Sequence, residues 1–290
     1  MQDNFDFQHY LVVYFDLLGQ GSKLSKIAEL PTDKTEQQFF IENTRGTIGQ
    51  VLRLRADFKE FYGEVNSFIP NENDVPSVHR DVFRKALERP PLFLYGLSDA
   101  MVIGVPLTSD NEGCTAITGI YYVFVATCSL GLSFLSKHVP IRAGLDVGIA
   151  TQIDSNELYG HALERAIYLE SKLAEYPRFL VGEGLINYLS WAETQKFDTK
   201  LGGITRKMAK LIKSIIIQDT DGRYMLDFLS TQVREWVENT IDLKLVASAY
   251  GFVLEEYRKY SQEGNDKLAS RYYRLLQYFH SRRNIWGINA

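Results

Sequence analysis

Two aspartates stand where carboxylates are uncommon. Asp16 lies inside Tyr10 to Leu18, a nearly unbroken apolar and aromatic run that reads as a central strand. Asp99 lies at the tip of a hairpin whose arms are Leu92 to Tyr95 and Met101 to Val105. An ionised carboxylate in such surroundings is costly unless it is paired or holds a metal. A lone aspartate at a strand end is also a common turn or capping residue, so the weight rests on what surrounds the two. Asp16 runs into Leu17, Leu18, Gly19, Gln20, Gly21 and Ser22, where glycines let backbone N–H groups approach an anion closely.

These residues need a scaffold, and the pattern around them supplies one. Thr35 to Tyr62 is helical in pattern, weakened by Gly46 and Gly49, and Pro70 to Pro76 is loop by composition. Thr115 to Ser136 carries no formal charge and is long enough to cross a bilayer. Its many Thr, Ser and Gly residues, and the strand-like segment directly after it, favour a helix buried against a sheet. Ile141 to Ile149 reads as a strand, Gly160 to Tyr176 as an amphipathic helix closed by Pro177, and Phe179 to Val181 as a short strand. The order strand, helix, hairpin, helix, strand, helix, strand predicts an α+β fold of ferredoxin-like arrangement, which by itself says nothing of function.

Past residue 195 the texture changes. Leu211 to Gln218 and Arg223 to Phe228 flank Asp219, Thr220, Asp221 and Gly222, a hairpin signal, and Thr231 to Tyr260 and Asp266 to Arg283 read as helices. The expected organisation is a core over 1–195, a hairpin over 196–230 completing its sheet, and a helical C-terminal extension over 231–290.

Three motifs in order carry a resemblance. Tyr14-Phe15-Asp16-Leu17-Leu18-Gly19-Gln20-Gly21 resembles the first motif of the class III nucleotidyl cyclases, and Ser98-Asp99 resembles the Gly-Asp turn of their second. Ile141-Arg142-Ala143-Gly144-Leu145-Asp146-Val147-Gly148, followed by Tyr159-Gly160 through Leu169-Glu170-Ser171, resembles the third motif, so that the likeness covers roughly residues 10 to 185.

The resemblance implies a class III cyclase core and a site for two manganese or magnesium ions, held by Asp16, Asp99 and the backbone at Leu17. It further implies Gly19 and Gly21 near the phosphates and Arg142 on the triphosphate, although a solvated strand-edge arginine is the ordinary alternative. It also implies a homodimer with sites at the subunit interface: Asp16 and Asp99 come from one copy, and Glu157, Glu164 and Tyr168 from the other.

The chain departs from the familiar pattern in places. Glu164 and Tyr168 occupy the positions of a family asparagine and arginine; neither is cationic, and the adjacent Arg165 is a possible substitute only if the helix is rotated. Tyr95 replaces an adenine-reading lysine, Glu157 stands at its acidic partner position, and Arg223 stands in for a phosphate-binding lysine. The segments Ala166 to Glu170, Tyr176-Pro177-Arg178 and Asp219 to Phe228 are similar to the bacterial pyrimidine cyclases of Pycsar antiphage systems. That likeness implies UTP, with CTP next, as substrate, a cyclic nucleotide alarm signal as product, and a separate effector that reads it. A catalytically inactive nucleotide-binding module is the main alternative.

Bulk properties narrow the field further. The net charge of −4 gives no footprint for a general nucleic-acid binder. The aromatic and basic residues Arg271, Tyr272, Tyr273, Arg274, Tyr278 and Arg282 read as one packed and one solvated helix face. Met1 to Phe7 lacks the basic start and apolar run of an export signal, so a cytoplasmic location is expected. Cys114 and Cys128, if on one helix, stand about 20 Å apart and cannot pair. No Gly-Gly-Asp/Glu-Glu-Phe hairpin marks the other palm-like nucleotidyl enzymes.

Overall fold

The computed structural model describes residues 5–65, 88–107, 114–154, 157–195, 200–237 and 243–288. The expected loop Pro70 to Pro76 lies outside these residues.

The chain is α+β, built on a mixed sheet. Strand β1 (Gln8–Leu17) is central, because its apolar run is covered on both faces: Leu11, Val13, Phe15 and Leu17 alternate into the main core, while Tyr10, Val12, Tyr14 and Asp16 alternate onto the opposite face. After β1 come a short helix α1 (Gln20–Leu24) and a long one, α2 (Lys34–Glu64). Asp33 caps α2 by accepting from the N–H groups of Thr35 and Glu36. Strands β2 (Phe93–Leu97) and β3 (Ala100–Pro106) form the expected hairpin, slightly offset from the sequence reading, and helix α3 (Cys114–Ser136) leads to β4 (Ile141–Asp154). Both cysteines fall on α3.

Then follow β5 (Glu157–Gly160), helix α4 (His161–Tyr168) with a π turn over Leu169–Leu173, β6 (Phe179–Val181) and helices α5 (Glu183–Thr194) and α6 (Lys200–Ser214). Strands β7 (Ile216–Gln218) and β8 (Tyr224–Leu226) precede helices α7 (Thr231–Val237), α8 (Leu243–Gln262) and α9 (Asp266–Trp286). The helix expected over Thr231 to Tyr260 is thus described as two pieces, with 238–242 outside the described residues. The strand expected from Leu211 begins only at Ile216, because Leu211 and Ile212 belong to the last turns of α6.

The sheet runs β2-β3-β1-β4-β6-β8-β7, with β5 paired to β4. Among the described residues only β4 and β6 pair in parallel. The β7–β8 hairpin therefore joins the sheet beside β6. Helices α2 and α3 pack on one face, and α6 and α8 lie against α3 on its far side. This enclosure accounts for an apolar α3: residues 116–136, the stretch that by length and hydropathy could cross a membrane, are wholly buried within the protein. Helix α4 covers the other face of β1 and β4.

Candidate functional site

The register of three strands brings the two aspartates together. Asp16 lies directly opposite Ala100 on β3, so Asp99 is the next residue out on the neighbouring strand. Asp99 occupies the two-residue turn between β2 and β3, where Ser98 adopts a left-handed conformation (φ 52°). The turn is pinned to α2 by Arg55, whose guanidinium donates to the Ser98 carbonyl at 3.1 Å.

On its other side Asp16 lies opposite Arg142 of β4, on the same sheet face. Arg142 Nη2 donates to Asp16 Oδ2 at 3.2 Å, Nη1 to the Ala174 carbonyl at 3.4 Å, and Nε makes a close ion pair with Glu170 Oε1. Arg142 is therefore no solvated strand-edge residue: β4 is flanked by β1 and β6.

What brings Glu170 there is a close approach of helix to strand. A Cβ on Gly144 would lie 2.2 Å from the Ala166 carbonyl oxygen and 2.9 Å from the Glu170 nitrogen, so only glycine lets α4 settle on β4. The π turn that follows, closed by Ala174 N–H donating to the Leu169 carbonyl at 2.8 Å, carries Glu170 at its start. Along β4 the alternation is complete: Arg142 meets Glu170, Gly144 meets Ala166, Asp146 meets Arg165, and Gly148 meets Ala162.

The local electrostatics are dominated by carboxylates. Burial raises the Asp16 carboxyl above its ordinary range, Arg142 opposes this, and the charge of Asp99 adds to it. Glu170, almost fully buried, is pushed up to about 7 by burial, against the pull of Arg142 and with the help of Asp16. Tyr14, two residues before Asp16 on the same face, is pushed up to about 12 by burial and then by Glu170, Asp16 and Asp99. Asp16 and Glu170 thus share the Arg142 guanidinium, with the Asp99 charge close by.

The other sequence candidates are dispersed. The side chain of Leu17 is buried in the core, so only its main chain borders the site. Gly19 (φ 81°) and Gly21 flank open space: a Cβ on either would meet nothing within 4 Å. Tyr95 shares the Asp16 face, in one cross-strand row with Val102 and Tyr14. Its hydroxyl is buried without a hydrogen-bond partner in a cluster with Leu158, Ala162 and Ala166, and burial pushes it up to about 12. Arg165 does not reach Asp16. Its Nε donates to the fully buried Asp146 at 2.6 Å, four residues or about 13 Å along β4 from Arg142. Asp146 also accepts from Leu185 N–H at 2.9 Å, which ties α5 to the sheet, so the pair is structural. Glu164 and Tyr168 lie on the exposed side of α4, with Tyr168 55% exposed. Glu157 pairs with Asp154 at the far end of β4, twelve residues or about 40 Å from Arg142.

Arg223 belongs to a second charged cluster, formed by the β7–β8 hairpin and the residues leading into β6. The fully buried Arg178 donates to Asp219 and to Asp221, the latter at 2.6 Å, and Tyr176 donates to Asp219 at 2.6 Å. Arg223 Nη1 donates to Asp221 at 2.5 Å. Burial works against the Asp221 charge, yet hydrogen bonds from Arg178 and Arg223 hold its carboxyl far below the usual range. Tyr176 to Arg178 and the Asp219 hairpin, distant in sequence, are thus one structural unit. The side chains that sequence reasoning left without a role are Tyr14, Glu170 and Arg178. For Glu170 the signal was present, since it sits in the Leu-Glu-Ser segment on the helix that crosses the Arg142 strand.

Asp16 and Asp99 offer hard anionic oxygens at adjacent strand ends; burial holds the Asp16 carboxyl above its ordinary range against the pull of Arg142, and the Asp99 charge adds a smaller push. That donor chemistry suits magnesium or manganese. Among the described residues no group of three or more His, Cys, Asp or Glu side chains is arranged around a common metal position, so bound oxygens of a substrate and water would complete any such shell. No family model matches the chain, and neither does a curated protein or a solved structure.

Proposed function

We propose that the chain is a nucleotidyl cyclase of the class III type, acting on a pyrimidine nucleoside triphosphate, UTP before CTP, as the source of a second messenger in antiphage defence. The observation that carries the reading is the meeting of Asp16 and Asp99 at adjacent strand ends beside Arg142. The antiparallel order β2-β3-β1-β4, with α2 before the hairpin and α3 after it on one face, supports a ferredoxin-like core of the kind those cyclases use.

Asp16, Asp99 and the main chain at Leu17 would hold two divalent ions. Once bound, such ions neutralise triphosphate oxygens and acidify the ribose 3′-hydroxyl. The chain's own residues do the rest of the positioning. The open turn at Gly19 and Gly21 lets phosphates lie against the backbone, and Arg142 offers N–H donors from the floor of the site. Arg223 precedes β8, the strand two places from β4, four residues along from the position level with Arg142. In-line attack of the 3′-oxygen on the α-phosphorus forms the ring ester and releases pyrophosphate.

Glu157 is too far along β4 to serve the Asp16 of its own chain, and Glu164 and Tyr168 face outward. These placements support a homodimer in which one copy completes the site of the other. The departures at Glu164, Tyr168 and Tyr95 leave the transition-state cation to Arg142 and the bound ions.

A second reading, a nucleotide-binding module without turnover, is favoured by two observations. Arg142 sits on Asp16, and the Tyr95 hydroxyl is buried away from any base. Incubation of the purified protein with ATP, GTP, CTP and UTP plus manganese, with products identified by mass, separates the two. The first reading expects a cyclic pyrimidine monophosphate that is absent with Asp99→Ala, and nucleotide binding without product supports the second.

A further inference from the structure

Glu170 has no part in the reading above, yet it forms an ion pair with Arg142, the cation beside Asp16. Arg142 is held unevenly. Its Nε lies on Glu170 of the π turn, its Nη2 donates to Asp16 at 3.2 Å, and its Nη1 reaches the carbonyl of Ala174, just past that turn, at 3.4 Å. Glu170 is 2% exposed, and its backbone position is dictated by the glycine contact at Gly144 and by the π turn, so it is a rigid anchor. A guanidinium has five N–H donors in a fixed fork, so Arg142 is shared, with Nε against the rigid Glu170 carboxylate and Nη2 on Asp16.

We propose that Glu170 is a positioning residue of this site: it shares Arg142 with Asp16, so that the guanidinium is kept from closing fully onto the carboxylate a metal needs. The inference rests on the metal-dependent reading of Asp16. Without Glu170, Asp16 is the remaining carboxylate in contact with Arg142, and the arginine closes onto it and competes with a divalent ion. Without Arg142, that competition is gone and Glu170 has nothing to hold.

The test is manganese binding to the full chain without nucleotide at pH 8, read from the free Mn²⁺ signal by electron paramagnetic resonance. Thermal unfolding of each variant runs beside it. Asp16→Asn is expected to abolish the binding. Glu170→Gln is expected to weaken it about tenfold, and Glu170→Asp less, because a shorter carboxylate still engages Arg142. Arg142→Gln is expected to bind Mn²⁺ at least as tightly as the parent while raising KM for the nucleotide.

The deciding variant is the double substitution Glu170→Gln with Arg142→Gln. If Glu170 acts through Arg142, the double variant binds like Arg142→Gln alone. Simple loss of one negative charge predicts additive effects instead. Additivity, or an unchanged affinity in Glu170→Gln, overturns the inference while leaving the metal reading intact. A parent protein with no Asp16-dependent Mn²⁺ binding overturns both.

Discussion

Glu170 is held in the folded chain near pH 7 by burial, with the Asp16 charge adding to it, whereas an unshifted glutamate titrates near 4.5. The folded state therefore binds that proton more tightly than the unfolded state. Its contribution to stability is fully present below the ordinary value and is lost as pH rises through 7, by an amount on the order of 1–3 kcal/mol. Glu170→Gln keeps the neutral form at every pH. Denaturant unfolding across this range should show a smaller fall in stability for Glu170→Gln than for the parent, and parallel curves would contradict the assignment. The residue was visible in the sequence only as part of a helix motif. Its role depends on two things no linear pattern carries: which face of α4 meets β4, and the π turn that displaces the residues after Leu169. Asp16 and Asp99 were legible, because a carboxylate inside an apolar strand and one at a hairpin tip each break a local rule.

At the scale of elements, the motif Arg142-x-Gly144-x-Asp146-x-Gly148 has a packing explanation. Each alternate residue meets α4, the charges through ion pairs and the glycines through backbone contact. Gly144→Ala should therefore cost about 2–4 kcal/mol, because its Cβ meets backbone and not a flexible side-chain end. It should also weaken Mn²⁺ binding by shifting Glu170, and a chemical melt alongside a binding titration checks both. The Arg178 cluster makes a matching prediction for the hairpin. Arg178→Met leaves Asp219 and Asp221 facing each other without their buried partner, at a cost of about 3–5 kcal/mol, and substituting both aspartates by asparagine in that background should recover part of it. Strands β1, β3 and β4 and helix α3 were readable from their apolar runs. Helices α5 and α6 were not: α5 begins at Gly182 without a side-chain cap, Gly202 and Gly203 interrupt α6, and the run from Leu211 to Ile217 straddles a helix end and a strand.

At the scale of the whole molecule, Asp16, Asp99, Arg142 and Glu170 gather at one end of β1, β3 and β4, and Arg178, level with Arg142 on the β6 side, leads to the Asp219 hairpin. Glu157, on β5, pairs with the opposite end of β4. Helix α9 closes the far side of the sheet through Asp227, which accepts from Tyr278 at 2.7 Å and from Arg282 Nη2 at 2.7 Å. If the sites of two copies are shared, Asp99→Ala and Glu157→Ala are each inactive alone, and mixing them restores part of the activity through heterodimers with one intact site. No recovery on mixing would contradict the shared site. The most direct measurement of the central claim remains turnover of the four nucleoside triphosphates with manganese by the parent protein and by Asp99→Ala. A cyclic pyrimidine nucleotide made by the parent and lost in Asp99→Ala is the predicted result, and an equal yield from both, or a product other than a cyclic monophosphate, would contradict it.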